Sequence, residues 1–392
     1  MELVPVILGG DVGAYTLGLE CYEAFGVKSI CVSAAPIDMI TKSVIFEVEQ
    51  VTPQASDEEL LAVLRGIAAI HQNLLLLANT DAHVSFFARH REELSQHYLL
   101  PFPTTETIDL LCQKQSFAEV CAREGVPTPA TVVVDLAEEA DPEIDFTFPV
   151  VAKTASGAAY DRVSFPGKKK IWFIDSPEEL TELWSTLRGA GFRDKFVVQE
   201  NIPGDDTYMR SLTYYVSSTG EILLRAGAHV LLQDPSPTMI GNPVAMITRE
   251  LPDLWELGDR ILRAGNYTGF ANFDIKIDPR DGTPYFLEVN PRIGRNSYYV
   301  VAAGQNPMAV MAQDLFLGES PEPVVAQETA LYSLVPFKLI LQTVKDPDLL
   351  AEVKTLPVVD PLDSPIETSK SRKAVARLQK LNYLRKFRRY AR

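Results

Sequence analysis

Short apolar runs alternating with amphipathic stretches organise the first hundred residues. Val4–Leu8, Ser29–Ser33 and Leu74–Ala78 are almost unbroken in hydrophobicity, the pattern of strands buried on both faces. Between the first two, Leu17, Cys21 and Phe25 recur at helical spacing and Gly26 is a stop signal. Strands alternating with helices predict a parallel, Rossmann-like α/β lobe over residues 1–105, closed by the breaker Pro101-Phe102-Pro103.

The pattern then changes. Residues 107–124 predict one amphipathic helix ending at Gly125, and 126–135, 148–153 and 197–200 predict strands. Residues 157–170, first small and then basic, read as a mobile loop. Strands are predicted again over 208–216, 222–232, 271–277 and 284–289, with a helix over 254–264. This is α+β organisation with antiparallel strands, divided into a small lobe over 106–200 and a larger one over 201–320. Residues 321–392, Pro-rich at first and less regular, are expected to form a C-terminal extension. There is no internal repeat.

Composition narrows the class. With 46% apolar and 23% charged residues in a chain of 392, several cores can be filled. The formal charge of −15 disfavours nucleic acid as the main partner. Cys21, Cys31, Cys112 and Cys121 lack metal-ligand spacing and read as buried free thiols. The acidic start at Met1-Glu2-Leu3-Val4-Pro5 is unlike a signal peptide, and no apolar run reaches the ~20 residues of a membrane span, so a cytoplasmic protein is expected. Residues 370–392 carry ten Lys or Arg and no acid, leaving −25 on the remainder. In this tail Val375, Leu378, Leu381, Leu384 and Phe387 recur every three residues, an apolar stripe for a helix. Such a helix either packs on the acidic body, the simpler reading, or touches anionic lipid peripherally, which would make the protein membrane-associated.

The most informative chemistry lies in Phe270-Ala271-Asn272-Phe273-Asp274-Ile275-Lys276 and Phe286-Leu287-Glu288-Val289-Asn290-Pro291-Arg292. Strand alternation puts Asn272, Asp274 and Lys276 on one face, and likewise Glu288 with Asn290. Asp278-Pro279-Arg280-Asp281-Gly282-Thr283 is a turn, so the strands form a hairpin. Symmetry about Asp281 sets Asp274 opposite Glu288 and Asn272 opposite Asn290. Like charges facing each other call for a cation, and oxygen ligands suit Mg²⁺, with Mn²⁺ as an alternative. A solvated face neutralised by Lys276 and Arg292 is the plainer alternative.

These residues resemble the metal motif of ATP-grasp ligases: an Asp on one strand, then Glu-x-Asn and Arg on the next. The resemblance runs back through residues 107–300. It implies that Asp274, Glu288 and Asn290 hold the metal, and that Lys114 and Lys153 reach toward ATP. It makes Gln199, Glu200, Asn201 and Ile202 the hinge at the adenine edge, assigns Asp205 or Asp206 to the ribose, and keeps Lys276 beside the nucleotide. Residues 154–170, with Ser156 and Gly157, correspond to the loop over the triphosphate, where small side chains admit close backbone approach.

The implied reaction joins a small-molecule carboxylate to an amine through an acyl phosphate. Lys153 and the metal would neutralise the transferring group, and Arg292, Arg295 and Arg225 are candidates to hold carboxylate or acyl phosphate. For Arg225 and Arg295 a structural ion pair is the alternative. Gly9-Gly10-Asp11-Val12-Gly13-Ala14-Tyr15 and Gly294-Arg295-Asn296 look most like the D-aspartate ligase group, which acts on peptidoglycan precursors. That places the amino-acid substrate, through an anionic group at a helix N-terminus, near Gly9, Gly10, Asp11 and Gly13. Competing readings are a small-molecule kinase, a non-catalytic ATP-binding regulator, and an NAD-dependent dehydrogenase suggested weakly by the glycines. The complete set Lys114, Lys153, Asp274, Glu288 and Asn290 argues against the regulator.

Overall fold

The computed structural model describes residues 2–138, 141, 143–155, 159–160 and 162–390. The N-terminal lobe holds β1 (Val4–Leu8), β2 (Ser29–Ser33), β3 (Phe46–Gln50), β4 (Leu74–Ala78) and β5 (Tyr98–Leu99), all parallel in the order β3-β2-β1-β4-β5. The unbroken apolar runs now have a reason. Ile7, Leu75 and Leu77 face the helix Val12–Phe25 in one core, while Val6, Leu8, Leu74 and Leu76 face the other side in a second. The chain leaves β1 to one side and returns to β4 on the other. Loops 9–11 and 79–81 therefore leave the sheet at its topological switch point, where open α/β sheets bind ligands.

The small lobe is the antiparallel sheet β6-β9-β7-β8, with β6 (Thr131–Asp135), β7 (Val150–Thr154), β8 (Ile171–Ile174) and β9 (Lys195–Glu200). The helix Pro177–Gly189 covers it, burying Trp184 against Phe196. The predicted helix over 107–124 is two helices, Thr105–Leu111 and Lys114–Arg123, broken at Cys112-Gln113. Both pack on the large lobe: Leu111, Phe117 and Val120 share a core with Tyr214, Trp255 and Phe273. The break sets Lys114 at the first helical position, where its side chain can turn toward the cleft.

The large lobe is an eight-stranded sheet. Along it run β14 (Pro284–Asn290), β13 (Gly269–Ile277), β10 (Met209–Val216), β11 (Ile222–Gln233) and β12 (Pro243–Thr248), then β16 (Leu331–Ser333) and β17 (Val358–Val359), with β15 (Val324–Val325) paired to β11. The last three strands come from residues 321–392, so that stretch is built into the sheet and covers the β12 edge.

The chain closes with the helix Lys370–Tyr390, packed on the body. Its buried residues are Arg372, Ala376, Tyr383 and Phe387, while Leu378 and Leu381 stay 64% and 51% exposed. Of the stripe expected every three residues, Val375, Leu384 and Phe387 pack on the core, while Leu378 and Leu381 turn outward. A step of three falls about 60° short of a turn, so five such residues spread over about 240° of the helix. No helix among the described residues is long and apolar enough to cross a membrane.

Candidate active site

The hairpin pairs Asp274 with Glu288 and Asn272 with Asn290, as alternation requires. Nearer the turn the register shifts, because Ile275 faces Phe286 and leaves Leu287 as the extra residue of a bulge. That bulge resolves a conflict in the pattern. Phe286 and Val289 both fill the core with Phe273 and Ile275, although three residues apart they would otherwise point to opposite faces. It also turns the Leu287 carbonyl to accept from Lys114 Nζ at 3.0 Å.

Charge converges here. Glu288 accepts from Lys114 Nζ at 2.5 Å and Lys153 Nζ at 3.3 Å. Burial alone would raise the Glu288 carboxyl, but the two ammonium groups outweigh it and hold it well below the usual range. Burial and the adjacent Lys114 push Lys153 down to about 8. Asp274 moves the other way: burial, then the neighbouring Glu288, raise its carboxyl despite Arg292. Its polar partner is Asn290 Nδ2 at 3.3 Å, and Asn290 Oδ1 accepts from Arg292 at 3.3 Å. Glu288 is thus neutralised by lysines while Asp274 is short of positive charge. Among the described residues no three His, Cys, Asp or Glu side chains gather as a metal group. The set here is two carboxylates and an amide, hard oxygen donors that fit Mg²⁺ or Mn²⁺ completed by phosphate oxygens.

Beside this set, two ion pairs cross to the switch point of the N-terminal lobe. Arg292 Nε meets Asp81 at 2.8 Å, and Arg295 pairs with Asp11. Asp11 also caps the helix Val12–Phe25 by accepting from the Ala14 N–H, and receives Asn79 Nδ2 at 2.8 Å. Side chains at Gly9 and Gly13 would run into the Asn79 amide, and one at Gly10 into Ser33 and Pro36. The glycines therefore make room for protein groups. The expected anion site at this helix N-terminus is corrected: a carboxylate of the chain fills it, and the loop presents negative charge. Gly294 is similarly wedged between the Asn272 and Asn296 amides.

Between the small and large sheets runs a cleft of about 690 Å³, lined among others by Lys153, Gln199, Glu200, Asn201, Ile202, Lys276 and Leu287. Gln199 is held by its Nε2 donating to Thr131 at 2.9 Å. The two candidate ribose acids separate. Asp205 accepts from the Thr207 N–H and hydroxyl, whereas Asp206 accepts from the Gln233 N–H at 2.8 Å and interacts with Lys276, whose ammonium burial lowers. Arg225 is a second correction. It stands opposite Tyr214, on the sheet face away from Asp274, with its guanidinium bidentate on Asp259 at 3.1 and 2.7 Å. Ser156 and Gly157 lie outside the described residues. The sequence reading missed Asp81 and Asn79, which carry no local motif. It also missed Lys170, whose charge lowers both Asp274 and Glu288.

This three-lobed fold and its cleft are those of an ATP-grasp carboxylate–amine ligase. Solved structures with the same architecture include the L-amino acid ligase of Bacillus licheniformis, with a TM-score of 0.57 at 18% identity, covering 80% of this chain and 74% of that one. Another is the N5-carboxyaminoimidazole synthetase of Staphylococcus aureus complexed with ADP, at 0.59 and 14%, covering 84% and 82%. No protein-family model matches the chain. The D-aspartate ligase of Enterococcus faecium (strain Aus0004) is 31% identical over 322 residues, 80% of this chain and 76% of that protein. The chain belongs to the D-aspartate ligase family.

Proposed function

We propose that the ligase activates the side-chain carboxylate of an acidic amino acid, D-aspartate foremost, and joins it to an amine on a peptidoglycan precursor. The observation carrying this is the Asp274–Glu288 pair beside Lys114 and Lys153 at one end of a nucleotide-sized cleft, with Arg292 and Arg295 turned toward the switch point. Asp274, Glu288 and Asn290 would hold Mg²⁺ or Mn²⁺, which when bound neutralises phosphate oxygens. Lys114 and Lys153 share that task, and Asp206, Lys276 and the segment Gln199-Glu200-Asn201-Ile202 bind the nucleoside. The Asp11–Arg295 pair opens to take an ammonium group on Asp11 and a carboxylate on Arg295, and Arg292 aligns the reacting carboxylate. A carboxylate oxygen attacks the γ-phosphorus as the bond to ADP breaks. The amine then attacks the acyl carbon, loses a proton, and phosphate leaves. Holding both partners in line and exchanging solvent for fixed charge are the sources of rate.

The test is ADP release with a panel of amino acids and amines, led by D- and L-aspartate, with hydroxylamine present in parallel. An acyl hydroxamate and ADP formation dependent on the acid are expected; ADP with a phosphorylated alcohol would make the chain a kinase. As to location, the outward face of the C-terminal helix carries Leu378, Leu381 and the exposed cations Lys370, Lys373, Arg377, Arg385 and Arg388. This supports peripheral contact with anionic lipid. Leu378→Glu with Leu381→Glu should abolish co-sedimentation with phosphatidylglycerol vesicles, and unchanged pelleting ends that reading.

A further inference from the structure

The two sheets do not enclose the nucleotide cleft alone. The last turn of the helix Lys370–Tyr390 forms part of its wall, with Phe387 and Tyr390 in the lining beside Gln233 and Asp234. Lys386 donates to Asp234 Oδ2 at 2.5 Å, and Asp234 is buried. Its neighbour Gln233 donates its N–H to Asp206 at 2.8 Å, so the helix end is tied through two consecutive residues to a cleft carboxylate. At the start of the helix Arg372 is fully buried over the Tyr15 ring, 4.4 Å from its centroid, and beside Glu367. The element is anchored at both ends.

We propose that Phe387 and Tyr390 form the binding wall for the adenosine half of the nucleotide. The inference rests on the nucleotide reading of the cleft given above. Charge sorts the cavity: Lys114 and Lys153 around Glu288 draw phosphate to one end, and the uncharged adenosine is left the part beside Asp206, where Gln233 and Asp234 tie in the helix end. Phe387 is 6% exposed and Tyr390 37% exposed. Both residues line the cleft, Phe387 backing the wall and Tyr390 fronting it, and a base or ribose seated there would cover the part of the Tyr390 ring that now faces solvent.

Calorimetric titration of the full chain with ADP, and separately with inorganic tripolyphosphate, both in magnesium, tests this. Tyr390→Ala, on an exposed final turn, and Phe387→Leu, which keeps the core apolar, should each raise the ADP Kd about tenfold. The tripolyphosphate Kd should stay within about twofold, since the wall does not touch phosphate. Equal weakening of both ligands would signal a general distortion of the cleft and overturn the proposal, as would an unchanged ADP Kd in both variants. If the unaltered protein bound tripolyphosphate but not ADP, the nucleotide reading itself would fall.

Discussion

At Glu288 one carboxylate meets two ammonium groups, and its side chain is still 36% exposed. Removing its charge strips the site of one of two facing carboxylates without opening a hole in a core. Glu288→Gln should therefore lower ATP turnover by about 100-fold or more, the scale of losing one charged transition-state partner. The melting temperature should move by no more than ~3 °C. Coupled ADP release and a thermal scan on the same sample check this. A collapse in melting temperature would make Glu288 a structural residue. Glu20 is the opposite kind of acid. It is fully buried, accepts from Ser297 Oγ at 2.5 Å, has no partner for Oε2, and burial pushes it up to about 8. Because the folded value lies above the unfolded one, its stabilising contribution is complete below about pH 4.5 and is lost as pH rises through about 8. Between pH 5 and 9 the protein should lose roughly 3–5 kcal/mol relative to Glu20→Gln, which keeps the shape without the charge. Parallel denaturation curves for the two proteins at several pH values would show this divergence, and parallel pH profiles would refute it.

Among the elements, the C-terminal helix depends most on one buried contact. Arg372 is fully buried, donates to Leu362 O at 3.1 Å and sets its Nε 3.7 Å from Glu367, while among the described residues Nε and Nη2 have no hydrogen-bond acceptor. Glu367 in turn accepts from Ser43 Oγ and the Val44 N–H in the N-terminal lobe. Breaking such a pair leaves a charge buried alone, so Arg372→Ala should cost about 3–5 kcal/mol. Arg372→Met with Glu367→Gln should recover most of that loss, because both charges leave together. Urea denaturation of the two variants decides the matter: equal destabilisation would mean that packing, not charge, holds the helix. The hairpin illustrates how far local pattern reaches. Alternation and a recognisable turn were sufficient to face Asp274 with Glu288. Nothing in the sequence marks Leu287 as the bulged residue, because a bulge is fixed by how Phe286 and Val289 must both reach one core.

Across the whole molecule, the acidic donors sit beside the cleft between the lobes, next to its lining residue Lys153, and the cores of those lobes form without them. Chelation by EDTA should therefore abolish ADP release while leaving the melting temperature within about 2 °C, since stabilisation by a bound ion scales with its occupancy of the folded state alone. Readdition of Mg²⁺ should restore turnover. A large drop in melting temperature on chelation would place the metal in the fold itself. The lobes meet through Asp81–Arg292 and Asp11–Arg295, pairs separated by more than two hundred residues. The Asp274–Glu288 carboxylates, the cleft between the sheets and the switch-point crevice are brought together only through that docking.

The sequence by itself determined whatever repeats locally: the three central strands of the parallel lobe, the antiparallel hairpin, and the shared face of Asp274, Glu288 and Asn290. These follow from periods of two and 3.6 residues and from turn chemistry, which a short window contains. Tertiary structure alone decided which face of the sheet Arg225 occupies, why Gly9 and Gly13 lack side chains, which stripe of the final helix is buried, and that Asp11 answers Arg295. Each of these depends on strand register or on a partner far along the chain, and no local periodicity encodes either.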